Sequence, residues 1–122
     1  MNNYKTEEVE QLLAAPDYED NSLINPELYS AIYSLGRDVE NEEEYHYALN
    51  ILLSLCDRKA QRVRAKAILA ISLLAIKHKR IEREIIEPIV KRKWEIADNE
   101  SRAIIQDAVS DINHAMNWNM VV

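Results

Sequence analysis

Apolar residues recur along the chain at helical intervals, and each apolar stripe is bracketed by start or stop signals for a helix. Val9, Leu12 and Leu13 form an i, i+3, i+4 face behind Thr6 as N-cap. Glu7 and Glu8 follow in the first turn, where negative charge complements the helix dipole. This helix must end before Pro16, and the polar stretch from Asp17 to Ser22 reads as a loop. Asn25-Pro26 places a cap and a first-turn proline ahead of the stripe Leu28, Ala31, Ile32, Leu35, with Gly36 near its end. Asn41 and Glu44 have capping-box spacing, and the helix they open buries Tyr45, Ala48, Leu49, Leu52 and Cys56. After a turn at 57–61, the run from Val63 to Ile76 is apolar nearly all round, which marks a helix covered by neighbours on both sides. The chain leaves it through Lys77-His78-Lys79-Arg80. A helix with Ile85, Ile86, Ile89, Val90 and Trp94 follows, kinked or begun by Pro88. A last helix starts near Asp98-Asn99, carries Ala103, Ile104, Ala108, Val109 and Ile112, and ends near Trp118. The pattern predicts six helices, paired as hairpins by short links.

Composition narrows this all-α reading. The 122 residues suit one domain with a proper core, and the single glycine leaves no room for a glycine-rich phosphate loop. The single cysteine, Cys56, excludes an internal disulfide and four-cysteine zinc sites. The apolar stretch from Ala67 to Ile76 is about half a membrane span, and the first residues carry neither a basic nor an apolar leader segment. A soluble cytoplasmic protein is expected.

Charge changes the picture more. The formal net charge of −6 is unevenly spread: residues 1–57 carry −11, residues 58–97 carry +8 and residues 98–122 carry −3. All six tyrosines (Tyr4, Tyr18, Tyr29, Tyr33, Tyr45, Tyr47) fall in the acidic part, and both tryptophans outside it.

Residues 63–74 can be laid over residues 101–112. At an offset of 38, Arg64 matches Arg102, Ala65 matches Ala103, Ala70 matches Ala108, Ile71 matches Val109 and Leu74 matches Ile112. A period near 40 with two helices per unit is the mark of a helical solenoid. The stretch Glu84-Ile85-Ile86-Glu87-Pro88-Ile89-Val90 resembles the first helix of a HEAT repeat. Asp98, Arg102-Ala103, Ala108-Val109 and Ile112 resemble its turn and second helix, and Asp57 with Val63-Arg64-Ala65 gives the same signature one unit earlier. The resemblance implies an all-α, right-handed α-solenoid of three HEAT-like hairpins spanning one domain, 1–122. The units run roughly over 6–37, 41–78 and 82–118, with a degenerate first unit. In particular the chain is similar to small stand-alone bacterial HEAT-type proteins, which include immunity-like proteins of toxin systems.

Several constellations invite chemistry, each beside a plainer reading. Asp107, Asp111 and His114 share a helical stripe that could ligate a metal, but they read better as an exposed face. His46 beside Glu42, Glu43 and Glu44 could act as a base, though such a run is usually a solvated helix start. Cys56 in its apolar run reads as a small buried hydrophobe rather than a nucleophile. Arg64 and Arg102 could line a groove as a ladder of cations. The resemblance instead favours arginines bonded to the turn aspartates Asp57 and Asp98 or to neighbouring carbonyls. The basic stretch 77–93 could contact phosphates, yet a solvated face that pairs with the acidic part of the same protein is favoured.

The acidic, tyrosine-rich region carries the functional expectation. Tyr18, Glu19 and Asp20 in the loop, Tyr29 and Tyr33 on one helix face, and Glu42, Glu43, Glu44, Tyr45 and Tyr47 at a helix start are expected to form a partner-binding surface. Tyrosine offers stiff contact area with a polar tip, and clustered carboxylates steer a basic partner. The expected function is a protein-binding module without catalytic, metal or cofactor residues. Its concrete form is an immunity protein that covers the active site of a basic toxin domain, such as a nuclease. A scaffold without a toxin partner, and nucleic-acid binding through 77–93, are the alternatives.

Overall fold

A computed structural model describes residues 6–122, apart from the side chains of Thr6, Glu8 and Leu12. Tyr4, the capping role of Thr6 and the core role of Leu12 lie outside that description. The described residues are all-helical. Six helices follow one another: α1 (Thr6–Leu13), α2 (Pro26–Arg37), α3 (Glu42–Leu55), α4 (Gln61–His78), α5 (Arg83–Glu95) and α6 (Asn99–Met116). A single 3-10 turn, Asn21–Leu23, precedes α2.

Local signals account for the starts of α2, α3 and α6, whereas α4 and α5 begin without a side-chain cap. Asn25 caps α2 by accepting from the Glu27 amide, with Pro26 in the first turn. Asn41 accepts from the Glu44 amide at 2.9 Å, while the Glu44 carboxylate reaches back to the Glu40 amide at 3.0 Å. Asp98 caps α6 through the Ser101 amide. Lys79 and Asn117 end α4 and α6 in the left-handed conformation, both at φ 55°. Beyond Asn117, the Asn113 side chain brackets the Met120 backbone at 2.9 Å on both its amide and its carbonyl. The last helix therefore stops at Met116, a little short of Trp118.

Helix α4 is the centre of the packing. It lies between α2 and α6, which do not meet, and it also packs against α3 and α5. Ala67, Ile68, Ile71 and Leu74 are fully buried, as an apolar-all-round helix requires. One stripe of α4 remains part-exposed: Arg62, Lys66, Leu69 and Leu73 are half-buried and Ile76 is exposed.

Gly36 is the point of closest approach between α2 and α4. A Cβ there would lie 2.9 Å from the Ala70 Cα and nearer still to its carbonyl oxygen, so only glycine fits. Near the end of α2, its role is packing. Ala103 departs from expectation. It is exposed, and Ile105 takes the buried position. Its counterpart Ala65 is buried because α4 is covered on both sides, whereas among the described residues α6 packs only against α4 and α5. Among the described residues, no helix is long and apolar enough to cross a membrane.

The turns are tied to each other by side chain to backbone bonds. The Lys59 amide donates to Asp17 at 2.9 Å, the Arg62 amide to Asn21 at 3.1 Å and the Asp98 amide to Gln61 at 2.6 Å. In the turns before α4 and α6 an arginine of the following helix holds the carbonyls. Arg64 donates to the Arg58 and Lys59 carbonyls, each at 2.8 Å. Arg102 donates to the Trp94 and Glu95 carbonyls at 3.0 and 3.3 Å. These two arginines are turn clamps, the plainer of their two sequence readings.

Candidate interaction surfaces

The expected tyrosine and carboxylate surface divides into three places. The first is the acidic end of the molecule. Residues 14–25 cross from α1 to α2, anchored at one side by Arg58 and Lys59 and at the other by Asn21, which accepts from the Arg62 amide. The Arg58 guanidinium donates to the Leu13 and Ala15 carbonyls, and Asp17 accepts from the Lys59 amide. Asp20 caps the 3-10 turn through the Ser22 amide and hydroxyl, and those two bonds hold its carboxyl below the usual carboxylate range. Under this loop opens a cavity of about 390 Å³. Its walls include Gln11, Asp17, Tyr18, Glu27, Leu28 and Arg58. Tyr18 is 42% exposed, and Glu19 and Asp20 beside it are exposed. Glu10, Glu19 and Glu27 take part in no ion pair among the described residues.

The second place is the start of α3, where the same residue types are used internally. Glu44 is 3% exposed and Tyr45 4%, so both leave the expected surface. Glu44 is consumed by the cap described above. The Tyr45 hydroxyl donates to the Arg80 carbonyl, and the Arg80 guanidinium lies 4.6 Å from the ring centroid. Burial raises the Tyr45 phenol, the nearby Arg80 charge partly opposing it. Glu42 pairs with Arg80 and, at 3.0 Å, with His46; the Arg80 bond is the main cause of its lowered carboxyl. His46 thus sits in an exposed pair at a helix start. Glu43 stays exposed and Tyr47 is half-buried. The signal for this arrangement was the capping-box spacing, which assigns Glu44 a backbone partner; the contribution of Arg80, 35 residues from Tyr45, has no local trace.

The third place is a groove of about 460 Å³ between α2 and α4, lined by Tyr29, Ser30, Tyr33, Ser34, Arg37 and Lys66 with Leu69. Tyr29 and Tyr33 share a face, as their spacing predicts, but their neighbours are cations. Arg37 lies 5.3 Å from the Tyr33 ring centroid and Lys66 5.9 Å from that of Tyr29. Arg37 is bound at 2.6 and 2.8 Å to both oxygens of Asp38, whose carboxyl is lowered chiefly by that bond.

Comparison of the chain with protein-family models, curated proteins and solved structures finds no match. The chemistry of the surfaces has to speak for them. Asp107, Asp111 and His114 are exposed on α6, and no group of three or more metal-ligating side chains is present among the described residues. The Cys56 thiol is buried and pushed up to about 12 by desolvation, far from a reactive thiolate. The basic stretch is largely engaged. Arg80 pairs with Glu42, Arg83 and Lys91 flank Glu87 at 2.6 and 2.8 Å, and Lys93 lies 3.3 Å from Asp57.

Proposed function

We propose that this chain is a protein-binding module, an immunity protein that neutralises a basic toxin domain by covering its active site with the acidic end. In this reading the scaffold is a right-handed solenoid of three HEAT-like hairpins, units 6–37, 41–78 and 82–118. Three features support the scaffold. Helices α2, α4 and α6 lie in sequence as neighbours, with α4 in the middle. Arg64 and Arg102 hold the carbonyls of successive inter-helix turns. Side chains of one turn accept from the backbone of the next. An array of this kind offers shaped surface rather than a catalytic cleft.

The observation that carries the functional reading is the cavity lined by Asp17, Tyr18 and Glu27, with Glu19 and Asp20 next in the chain and exposed. Exposed carboxylates around a tyrosine imitate the phosphates that a nuclease site is charged to hold, and they speed the approach of a cationic partner. The loop is pre-organised by its bonds to Arg58 and Lys59, so little conformational entropy remains to be lost on binding. The nucleic-acid alternative has less support, since most cations of the 77–93 stretch are ion-paired.

The test is co-expression with the product of the adjoining gene. A basic protein that arrests growth alone, is tolerated with this chain and co-elutes with it is the expected result. An unrelated neighbour whose effect on growth is unchanged by this chain contradicts the reading.

A further inference from the structure

The acidic end does not account for the groove between α2 and α4, which has the opposite sign. Among the described residues, Lys66 at one end takes part in no ion pair, and neither does Lys77 at the other, whose ammonium instead donates to the Arg37 carbonyl at 3.4 Å. The nearby carboxylates are engaged elsewhere: Asp38 by Arg37, and Glu100 by Arg62 at 2.8 Å. Asp38 also feels the Lys77 charge, so Arg37, Lys66 and Lys77 together face one carboxylate and this face keeps a net positive charge. Lys66 and Lys77 are eleven residues apart on α4, which is about 16 Å along a helix axis. Between them the surface turns apolar. Leu69 and Leu73 are half-buried, Ile76 is 44% exposed, and Tyr33 across the groove is 45% exposed.

We propose that this groove is a second docking surface, which takes an acidic segment of a partner protein with apolar side chains between its carboxylates. The apolar residues lie over Leu69, Leu73 and Tyr33, and the carboxylates reach Lys66 and Lys77. Charge complementarity selects this occupant. A basic segment would meet a face where three cations outnumber one carboxylate, and a purely apolar one would desolvate Lys66 and Lys77 without supplying an acceptor. The surface is independent of the acidic end, so either proposal can fail alone.

The probe is a fluorescein-labelled synthetic peptide with glutamates at both ends and leucines between, followed by fluorescence anisotropy at low salt. The wild-type chain is expected to bind it, more weakly as salt rises. Lys66→Glu with Lys77→Glu should lower the affinity at least about tenfold. Lys66→Gln with Lys77→Gln, which introduces no repulsion within the fold, should lower it less but measurably. Replacing the leucines of the peptide by serines should also weaken binding. Absence of binding to the wild type, unchanged affinity in both lysine variants with native circular dichroism, or equal affinity for the serine peptide overturns the proposal. Tighter binding of a single-stranded oligonucleotide of equal charge, lost in the same variants, would overturn it as well.

Discussion

The loop at residues 17–20 and the start of α3 at residues 42–47 are alike in composition and unlike in use. Each presents tyrosine among adjacent carboxylates. In the loop, Tyr18 and Glu19 face solvent beside a cavity. At α3, Glu44 closes a cap, Tyr45 is sealed beneath Arg80, and Glu42 is held by Arg80 and His46. The difference lies in what each stretch must satisfy. A helix start leaves backbone amides that need acceptors, and a periodic apolar stripe pulls its tyrosine inward. A short loop tied at one end by Arg58 and Lys59 and at the other by Asn21, with Asp17 and Asp20 taking up the amides, leaves Tyr18 and Glu19 exposed. Residue type alone therefore does not mark an interface.

This contrast can be broken by mutation. The largest effect is expected from Tyr45→Ala, which removes a buried ring and its bond to the Arg80 carbonyl. Truncations of this size cost about 3–5 kcal/mol, and urea denaturation should show a loss in that range. Tyr18→Ala should shift the same transition by less than about 0.5 kcal/mol. Similar losses from the two would erase the distinction. Asn41→Ala, which removes the α3 cap, is expected to cost about 1 kcal/mol by the same measurement.

A smaller effect should appear with acid. Glu42 has its carboxyl lowered from the ordinary 4.5 by Arg80 first and His46 after it. A lowered folded-state value means that its contribution is present above pH 4.5 and fades as the pH falls through the lower value. The melting temperature of the wild type should therefore fall more steeply with acid below pH 4.5 than that of Glu42→Gln. Equal slopes would place the pair with Arg80 among the surface contacts that contribute nothing.

Much of the fold was legible because helix starts carry their chemistry locally. Asn25-Pro26, Asn41 with Glu44, and Asp98 cap where their spacing says, and the apolar run from Val63 to Ile76 became the central helix. What could not be read depends on distant partners. Gly36 is understood only beside Ala70, and Ala103 is exposed because α6 has no neighbour on that side among the described residues. The surface was harder still. The Tyr29 and Tyr33 face followed from their spacing, but Lys66, which sets its sign, comes from another helix.

The central claim is that the acidic end, and not the start of α3, contacts a basic partner. Calorimetric titration of the proposed basic partner, the protein that co-expression identifies, tests it most directly, with wild type, Tyr18→Ala/Glu19→Lys and Glu43→Lys compared at one salt concentration. The account predicts that the double variant loses at least about tenfold in affinity while Glu43→Lys stays within about twofold, both with native melting temperatures. Unchanged affinity in the double variant, or a larger loss in Glu43→Lys, would contradict it.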